Sequence, residues 1–222
     1  MFNDAAPTYD RLNDLLSLGL HRQWKRQLLL HLAPRRGEVW LDLCCGTGDL
    51  ALALSRRVRP GGQVVGVDAA EAPLAVARSR AAREPWLPVD FQQGDALVLD
   101  CDTASVDGVV MAYGLRNLAD PAAGLREIKR VLRPGGRAGL IDFNRLPPTS
   151  VAARFQRAYL RRVVVPVAEG LGLKDHYAYL EASLQRFPDG ASQERLAKDA
   201  GFSRACHRAI AGGLMGLLTL RD

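Results

Sequence analysis

A glycine-rich turn between an apolar run and a helix is the segment of this chain best suited to chemistry. The apolar run Val39–Leu43 leads into the turn, and Gly46-x-Gly48-x-x-Ala51 follows the fingerprint of loops that hold nucleotide-like cofactors. Glycines let a ligand approach the backbone without meeting a Cβ, and the next helix offers unpaired N–H groups. The segment therefore predicts a site for an adenine-containing cofactor.

Two aspartates beside this turn indicate which cofactor it suits. Asp42 lies at the end of the apolar run, and Asp49 opens the helix. Their carboxylates would repel the pyrophosphate of a nicotinamide dinucleotide but attract the sulfonium and ammonium of S-adenosylmethionine. The methionine carboxylate can bind backbone N–H groups of the turn. The charges therefore favour S-adenosylmethionine.

Two further acidic residues follow later strand-like runs. Asp68 stands at a distance suited to a ribose diol, and Asp95, before Ala96, could bind an adenine amino group. Each residue also has a simpler interpretation. Asp68 could cap the following helix, and Asp95 could stabilise a turn.

Alternating strands and helices must position these residues. Strand-like runs occur at 39–43, 64–67, 89–92, 108–112 and 138–143, with helical stretches around 49–57, 71–83 and 121–132. The RPGG segments 59–62 and 133–136 each predict a turn that leads into a strand. This alternation indicates an α/β fold with a parallel sheet and helices on both faces.

The two ends of the chain differ from this core. Residues 5–33 predict two helices, and 149–186 predict further helices after two prolines at 147–148. A helix near 192–200 precedes two apolar runs, 202–210 and 213–220, which predict a hairpin closing the sheet. We therefore predict a single domain in four parts: an N-terminal helical lid (1–36), a cofactor-binding core (37–143), a helical substrate cover (144–190) and a C-terminal helix and hairpin (191–222).

Composition limits the function classes. The 30 Lys and Arg exceed the 24 Asp and Glu, and this net charge of +6 fits a mildly basic soluble protein or a surface that contacts acidic lipids. No dense basic block supports nucleic-acid binding. The four cysteines show neither zinc nor C-x-x-C spacing, which fits buried thiols in a reducing compartment. The late apolar run 209–220 is too short to span a bilayer.

The core resembles a class I S-adenosylmethionine-dependent methyltransferase, and other segments resemble one family within that class. Residues 9–14 (YDRLND) and 16–25 (LSLGLHRQWK) are similar to the N-terminal signature of the ubiquinone/menaquinone C-methyltransferases, and 113–120 (YGLRNLAD) to their second signature. Residues 41–46, 187–190 and the tail 207–218 resemble the cyanobacterial branch, which methylates demethylphylloquinone. The resemblance implies a Rossmann-like, mostly parallel seven-stranded sheet with a C-terminal antiparallel hairpin.

The resemblance also implies a set of residues that bind S-adenosylmethionine. Thr47 with its flanking glycines would contact the methionine part, Asp68 the ribose, and Asp95 with Ala96 the adenine. The backbone of Ala112 would lie near the transferred methyl. The full set is Asp42, Gly46, Thr47, Gly48, Asp68, Asp95, Ala96 and Ala112. Residues 71–75 (EAPLA) depart from the Ser-x-x-Met-Leu stretch usual in the family, so no contacts are assigned there.

The implied reaction is methylation of a ring carbon in a prenylated naphthoquinol. Alternatives are a benzoquinol or other small phenolic acceptor, and a silent S-adenosylmethionine-binding module. The ring carbon is nucleophilic chiefly as the phenolate, so the site must accommodate the hydroxyl proton.

Arg116 stays protonated and would lower the pKa of the quinol and hold a water that Asn117 orients. His21 is the best ordinary titratable candidate, with His176 weaker. His21 could instead pack in a core, and Arg116 could pair with Asp120.

Substrate binding is assigned to residues on either side of the implied site: Tyr9, Tyr113, Asp142 and Phe143. Apolar residues at 155, 159–160 and 163–165 could form a groove for the prenyl tail or pack in a core. Four arginines flank them, at 154, 157, 161 and 162, which suits peripheral contact with anionic lipid. We expect a cytoplasmic protein, or one on the cytoplasmic face of a plasma or thylakoid membrane. No metal or nucleic-acid partner is expected, and the oligomeric state stays open, a homodimer being one option.

Overall fold

A computed structural model of the chain describes residues 19–146 and 183–222, together with Thr149, Arg154, Ala158, Arg162 and Pro166. Strands and helices alternate along these residues. In chain order they are α1 (His21–Leu32), β1 (Val39–Leu43), α2 (Asp49–Val58), β2 (Gln63–Asp68), α3 (Glu71–Ala81), β3 (Val89–Gln93), β4 (Val106–Ala112), α4 (Pro121–Val131), β5 (Leu132–Phe143), α5 (Gly190–Asp199), β6 (Arg204–Ile210) and β7 (Met215–Arg221).

The strands form one seven-stranded sheet in the order β3-β2-β1-β4-β5-β7-β6. Strands β1 to β5 pair in parallel, and β7 is antiparallel to both β5 and β6. The predicted fold class and the C-terminal hairpin are therefore confirmed. The chain moves outward on one side of β1 and then on the other, which opens a crevice at the carboxyl ends of β1 and β4.

Central strands of this sheet bury both faces, as parallel sheets covered by helices do. Trp40 on β1 packs in one apolar core and Leu41 in the other, and neither is exposed to any extent. The Trp40 ring lies across β4 at Gly108, where a Cβ would come within 2.4 Å of the ring. This contact fixes β1 against β4 and so places the loops that follow them.

Helix α1 packs its apolar side chains against β5. Leu28 and Leu32 approach the backbone of Gly139 so closely that a Cβ there would lie 2.6 Å from Leu28 and 2.7 Å from Leu32. Trp24 and Leu29 are also buried. The second of the two predicted N-terminal helices is thus confirmed, and the first lies outside the described residues.

The turn predicted at 133–136 forms inside β5 rather than before it. Strand pairing already starts at Leu132, opposite Val106, and then jumps to Arg137 opposite Gly108. Gly135 turns the chain between these pairs with φ +77°. Most of the predicted substrate cover, 144–190, lies outside the described residues, so its helices and tail groove remain predictions. In the part that the structure describes, no helix is long and apolar enough to cross a membrane.

Candidate functional site

A cleft of about 290 Å³ opens at the carboxyl ends of β1, β2 and β4. Its walls come from the loops that follow these strands and β3, which is where open α/β sheets bind ligands. The structure brings together around it most residues assigned from the sequence to S-adenosylmethionine, together with two assigned to the acceptor. These are Asp42, Gly46, Thr47, Asp68, Asp95, Ala96, Ala112, Tyr113 and Asn117.

The glycine turn is fixed to the end of β2 by a carboxylate. Asp68 Oδ2 accepts the N–H of Gly46 at 2.8 Å, and Oδ1 accepts that of Ala70 at 2.9 Å. Gly46 has φ +53°, and a Cβ on it would meet no described atom within 4 Å, so this wall of the cleft stays open to a ligand. Gly48 does not line the cleft in the described structure. A Cβ on Gly48 would come 2.7 Å from the Phe91 ring, so packing requires this glycine.

Asp42 is the most unusual charged group at the cleft. Its side chain is buried, with 1% of the residue exposed, and Oδ2 has no hydrogen-bond partner among the described residues. Burial raises the pKa of Asp42 to about 8, although the charge of Lys25 opposes the rise. A buried acceptor without a partner is costly, so this oxygen suits a ligand that brings an ammonium or another cation.

Asp49 contributes less to the cleft than its sequence position predicts. Arg80 Nη2 lies 2.7 Å from Asp49 Oδ1, and Lys25 Nζ lies 3.4 Å from Oδ2. Although burial works in the other direction, these two cations hold the pKa of Asp49 below its usual value. Asp49 is also not among the described residues that line the cleft. Asp42, and not Asp49, is therefore the carboxylate at the cleft that can bind a cationic ligand.

Two thiols line the cleft beside Asp42. Burial, reinforced by the charge of Asp68, raises the pKa of Cys44 to about 12, and burial also raises the pKa of Cys45. Both side chains are therefore neutral and weakly nucleophilic at physiological pH. The prediction of buried thiols is confirmed for Cys45 only: Cys44 and Cys101 are partly buried, and the prediction is wrong for Cys206, which is exposed on the outer strand β6.

The loop after β3 supplies the far end of the cleft. Asp95 Oδ1 accepts the N–H of Leu97 at 2.9 Å, so the turn interpretation of Asp95 is correct. The same residue lines the cleft next to the buried Ala96, and the turn occupies only Oδ1. Both interpretations of Asp95 are therefore compatible, because the turn holds the carboxylate at the cleft.

A buried ion pair lies beside the cleft, between Arg116 in the helical turn after β4 and Asp142 near the end of β5. Arg116 Nη1 lies 2.8 Å from Asp142 Oδ1, and the backbone N–H of Arg116 donates to Asp142 Oδ2 at 3.1 Å. Only 9% and 6% of the two side chains are exposed. The alternative pairing of Arg116 with Asp120 is wrong. Asp120 caps α4 by accepting the N–H groups of Ala122 and Ala123.

Tyr113 connects this ion pair to the wall of the cleft. Its carbonyl oxygen accepts from Arg116 Nη1 at 2.7 Å and from Asn117 Nδ2 at 3.0 Å. Its ring lies 5.6 Å from the ring of Phe143. Asn117 Oδ1 is buried and finds no partner in the described part of the chain. Tyr113 and Asn117 line the cleft, whereas Arg116, Asp142 and Phe143 are not among its described lining residues.

The remaining candidates fall elsewhere. His21 is buried at the start of α1 and is not one of the described residues that line the cleft. Tyr9 and His176 lie outside the described residues.

Sequence reasoning missed Lys25, which lines the cleft, and Arg80, which donates to the carbonyl oxygen of Thr47 at 3.0 Å. Lys25 belongs to the N-terminal signature segment at residues 16–25, and this membership could have marked it as a site residue. In the described ranges no three His, Cys, Asp or Glu side chains are grouped to hold a metal ion.

Comparison with known sequences identifies the family. The sequence model of the ubiE/COQ5 methyltransferase family matches residues 1–219. A Nostoc punctiforme protein named 2-phytyl-1,4-naphtoquinone methyltransferase is 46% identical over 221 residues, covering 99% of this chain and 96% of that protein. The Arabidopsis thaliana 2-phytyl-1,4-beta-naphthoquinone methyltransferase, chloroplastic, is 44% identical and covers 98% of this chain and 84% of that protein.

Solved structures share the fold. A SAM-dependent methyltransferase from Aquifex aeolicus superposes with a TM-score of 0.65 at 17% identity, over 89% of this chain and 88% of that chain. Phosphoethanolamine N-methyltransferase 2 from Haemonchus contortus, in complex with S-adenosyl-L-methionine, gives 0.68 at 18% identity, over 90% and 52% of the two chains. The unpartnered carboxylate oxygen of Asp42 and the open Gly46 wall fit the same cofactor. This chain belongs to the ubiE/COQ5 methyltransferase family and is an S-adenosylmethionine-dependent methyltransferase.

Proposed function

We propose that this chain methylates a ring carbon of a prenylated naphthoquinol, the demethyl precursor of phylloquinone or menaquinone. The observation that carries the proposal is the 46% identity, over 221 residues, to a protein named for methylation of 2-phytyl-1,4-naphthoquinone. The geometry supports it, because Tyr113 and Asn117 of the second signature line the cleft next to Ala112.

The residues around the cleft divide into donor and acceptor groups. S-adenosylmethionine, when bound, supplies a methyl group on a positively charged sulfur. Asp42 Oδ2 would bind a cationic group of this donor, Asp68 the ribose hydroxyls, and Asp95 with Ala96 the adenine. The protonated thiols of Cys44 and Cys45 limit attack on the methyl group by the protein itself.

The acceptor must lose a hydroxyl proton for its ring carbon to become strongly nucleophilic. As the carbon–methyl bond forms, the methyl–sulfur bond breaks and S-adenosylhomocysteine is released; the hydrogen of the methylated carbon then leaves as a proton and the phenolate oxygen takes one up, so one proton is released overall. Asn117 Oδ1, a buried acceptor without a described partner at the cleft wall, would accept a hydrogen bond from that hydroxyl and orient the ring. Arg116 cannot act as the base because its guanidinium stays protonated. From behind Tyr113 and Asn117, its positive charge would instead favour the phenolate form of the acceptor and help to orient a water that takes the proton. Asp142 holds the guanidinium in place for this role.

Acceptor choice can be tested by methyl transfer from labelled S-adenosylmethionine to three reduced acceptors. We expect demethylphylloquinol and demethylmenaquinol to be methylated on the ring, and a demethylated benzoquinol to react much more slowly. The same acceptors kept oxidised are the control, because the quinone ring is electron-poor and should give no product. Faster methylation of the benzoquinol than of either naphthoquinol would contradict the proposal.

A lipophilic acceptor requires access from a membrane, and we propose peripheral contact with anionic lipid. Arg154 and Arg162, two of the arginines assigned to this contact, are exposed. Basic side chains at a membrane surface each add favourable energy that salt screens. We expect the protein to co-sediment with anionic vesicles at low salt, and an Arg154→Glu/Arg162→Glu variant to bind less. Equal binding to neutral vesicles, or no binding at all, would contradict this contact.

A further inference from the structure

Helix α1 brings a cation to the donor end of the cleft, the part lined by Asp42, Gly46 and Thr47. Lys25 is the one Lys or Arg among the described residues that line the cleft, and 17% of its side chain is exposed. The buried neighbours Trp24, Leu28 and Leu29 anchor this turn of α1 on the sheet. The ammonium of Lys25 is therefore held at the cleft by core packing.

Asp49 does not use all the hydrogen-bond donors of the Lys25 ammonium. Nζ lies 3.4 Å from Asp49 Oδ2, which is long for a bond between two charged groups. Asp49 is already bound more tightly by Arg80, at 2.7 Å. An ammonium has three donors. Lys25 can therefore bind a second carboxylate without leaving Asp49 unpaired.

The backbone of the glycine turn has fewer free donors than the sequence predicts. The N–H of Gly46 donates to Asp68, that of Gly48 donates to the carbonyl oxygen of Cys45 at 3.0 Å, and that of Ala51 donates to Asp42. Backbone N–H groups of the turn were the expected binding site for the methionine carboxylate. Because these three already have acceptors, fewer of them are available, and a side-chain donor beside the turn would strengthen binding of that carboxylate.

We propose that Lys25 binds the α-carboxylate of S-adenosylmethionine and makes the enzyme selective for a donor that carries it. The methionine end of the donor has one ammonium and one carboxylate. Asp42, with a buried oxygen that lacks a partner in the described structure, matches the ammonium, and Lys25 beside it matches the carboxylate. The arrangement pairs each charge of the ligand with an opposite charge of the protein. The inference concerns only the donor and holds whichever quinol is the acceptor.

The test compares two donors that differ in one group. Titration calorimetry would measure the affinities of S-adenosylmethionine and of decarboxylated S-adenosylmethionine for the wild-type chain. We expect S-adenosylmethionine to bind about 10- to 100-fold more tightly, the range of a charge-assisted hydrogen bond. In Lys25→Met this preference should fall to about twofold or less. Both ligands carry the ammonium that Asp42 would bind. An indirect effect of the substitution on Asp42 therefore changes both affinities alike and leaves their ratio unchanged.

Two controls keep the test decisive. Arg26→Met changes the next residue, which is exposed on the same helix and is not a described lining residue of the cleft, and it should keep the wild-type preference. Lys25→Gln serves if Lys25→Met does not fold, as judged by thermal unfolding without ligand. Equal binding of the two donors by the wild-type chain, or an unchanged preference in the Lys25 variants, would overturn the proposal.

Discussion

A carboxylate is buried at the donor end of the cleft and another behind its acceptor wall, which Tyr113 and Asn117 line, and the two differ in their hydrogen-bond partners. Asp42 has an oxygen with no hydrogen-bond partner among the described residues, and its pKa is raised to about 8 by burial. Both oxygens of Asp142 accept hydrogen bonds from Arg116. The donor end therefore leaves a buried carboxyl oxygen for the ligand to satisfy, whereas the carboxylate beside the acceptor wall is already paired with a cation before any ligand binds.

The largest expected effect comes from breaking the pair at the acceptor wall. Asp142→Ala leaves the guanidinium of Arg116 buried without its carboxylate and should lower the free energy of unfolding by about 3–5 kcal/mol. Urea denaturation monitored by circular dichroism would measure the loss. The double variant Arg116→Met/Asp142→Asn should regain most of the stability, since no buried charge remains and the amide oxygen can still accept a backbone N–H. A loss below about 1 kcal/mol in Asp142→Ala would show that the pair is not electrostatically isolated from water.

The next largest effect is expected from a substitution of Arg116, which should lower the turnover rate without weakening donor binding. Arg116→Lys keeps the charge but loses the planar group that contacts both Asp142 and the Tyr113 carbonyl. We expect kcat to fall about 100-fold, with donor affinity unchanged because Arg116 lies behind Tyr113 and Asn117 and away from Asp42, Gly46 and Thr47. Asp68→Ala is the control with the opposite pattern, and it should weaken donor binding by about 1–3 kcal/mol. Weaker donor binding in Arg116→Lys would contradict the division.

Asp42→Asn tests the donor end and should act on stability in the opposite direction to Asp142→Ala. An amide removes a buried ionisable group, so the cofactor-free protein should unfold at the same or a higher temperature, most clearly above pH 8. Donor affinity should fall by about 1.5–3 kcal/mol, because the amide cannot supply a charge to the donor's cation. Scanning calorimetry and titration calorimetry would measure the two effects. A destabilisation as large as that of Asp142→Ala would remove the contrast between the two carboxylates.

The sequence predicts the sheet well, because the predictive patterns are local. Apolar runs of strand length, helical periods between them and the glycine-bounded tail lead to the observed strands and the C-terminal hairpin. The early start of β5 was missed because its residues 133–136 have the composition of a free turn. Their pairing with β4 depends on a register shift that only the assembled sheet produces.

At the site, the residue types were predictable and their partners were not. Arg116 lies 26 residues from Asp142, and Lys25 lies 24 residues from Asp49, so no local pattern reports either contact. The interpretation of Asp49 failed for this reason, because its charge is matched by cations from α1 and α3. The requirement for a glycine at Gly48 likewise comes from packing against Phe91 in β3 rather than from the ligand.

Proton release on donor binding tests the central contrast most directly. With a pKa of about 8, Asp42 is mostly protonated at pH 7 in the cofactor-free protein, and a bound cation favours the ionised form. Affinity should therefore rise as the pH increases toward 8, by up to about tenfold per unit, and then level off. Titration calorimetry at pH 7 in two buffers of different ionisation enthalpy should detect release of up to about one proton, absent in Asp42→Asn. No proton release and a flat affinity between pH 6 and 8, equal in the wild-type chain and the variant, would contradict the account.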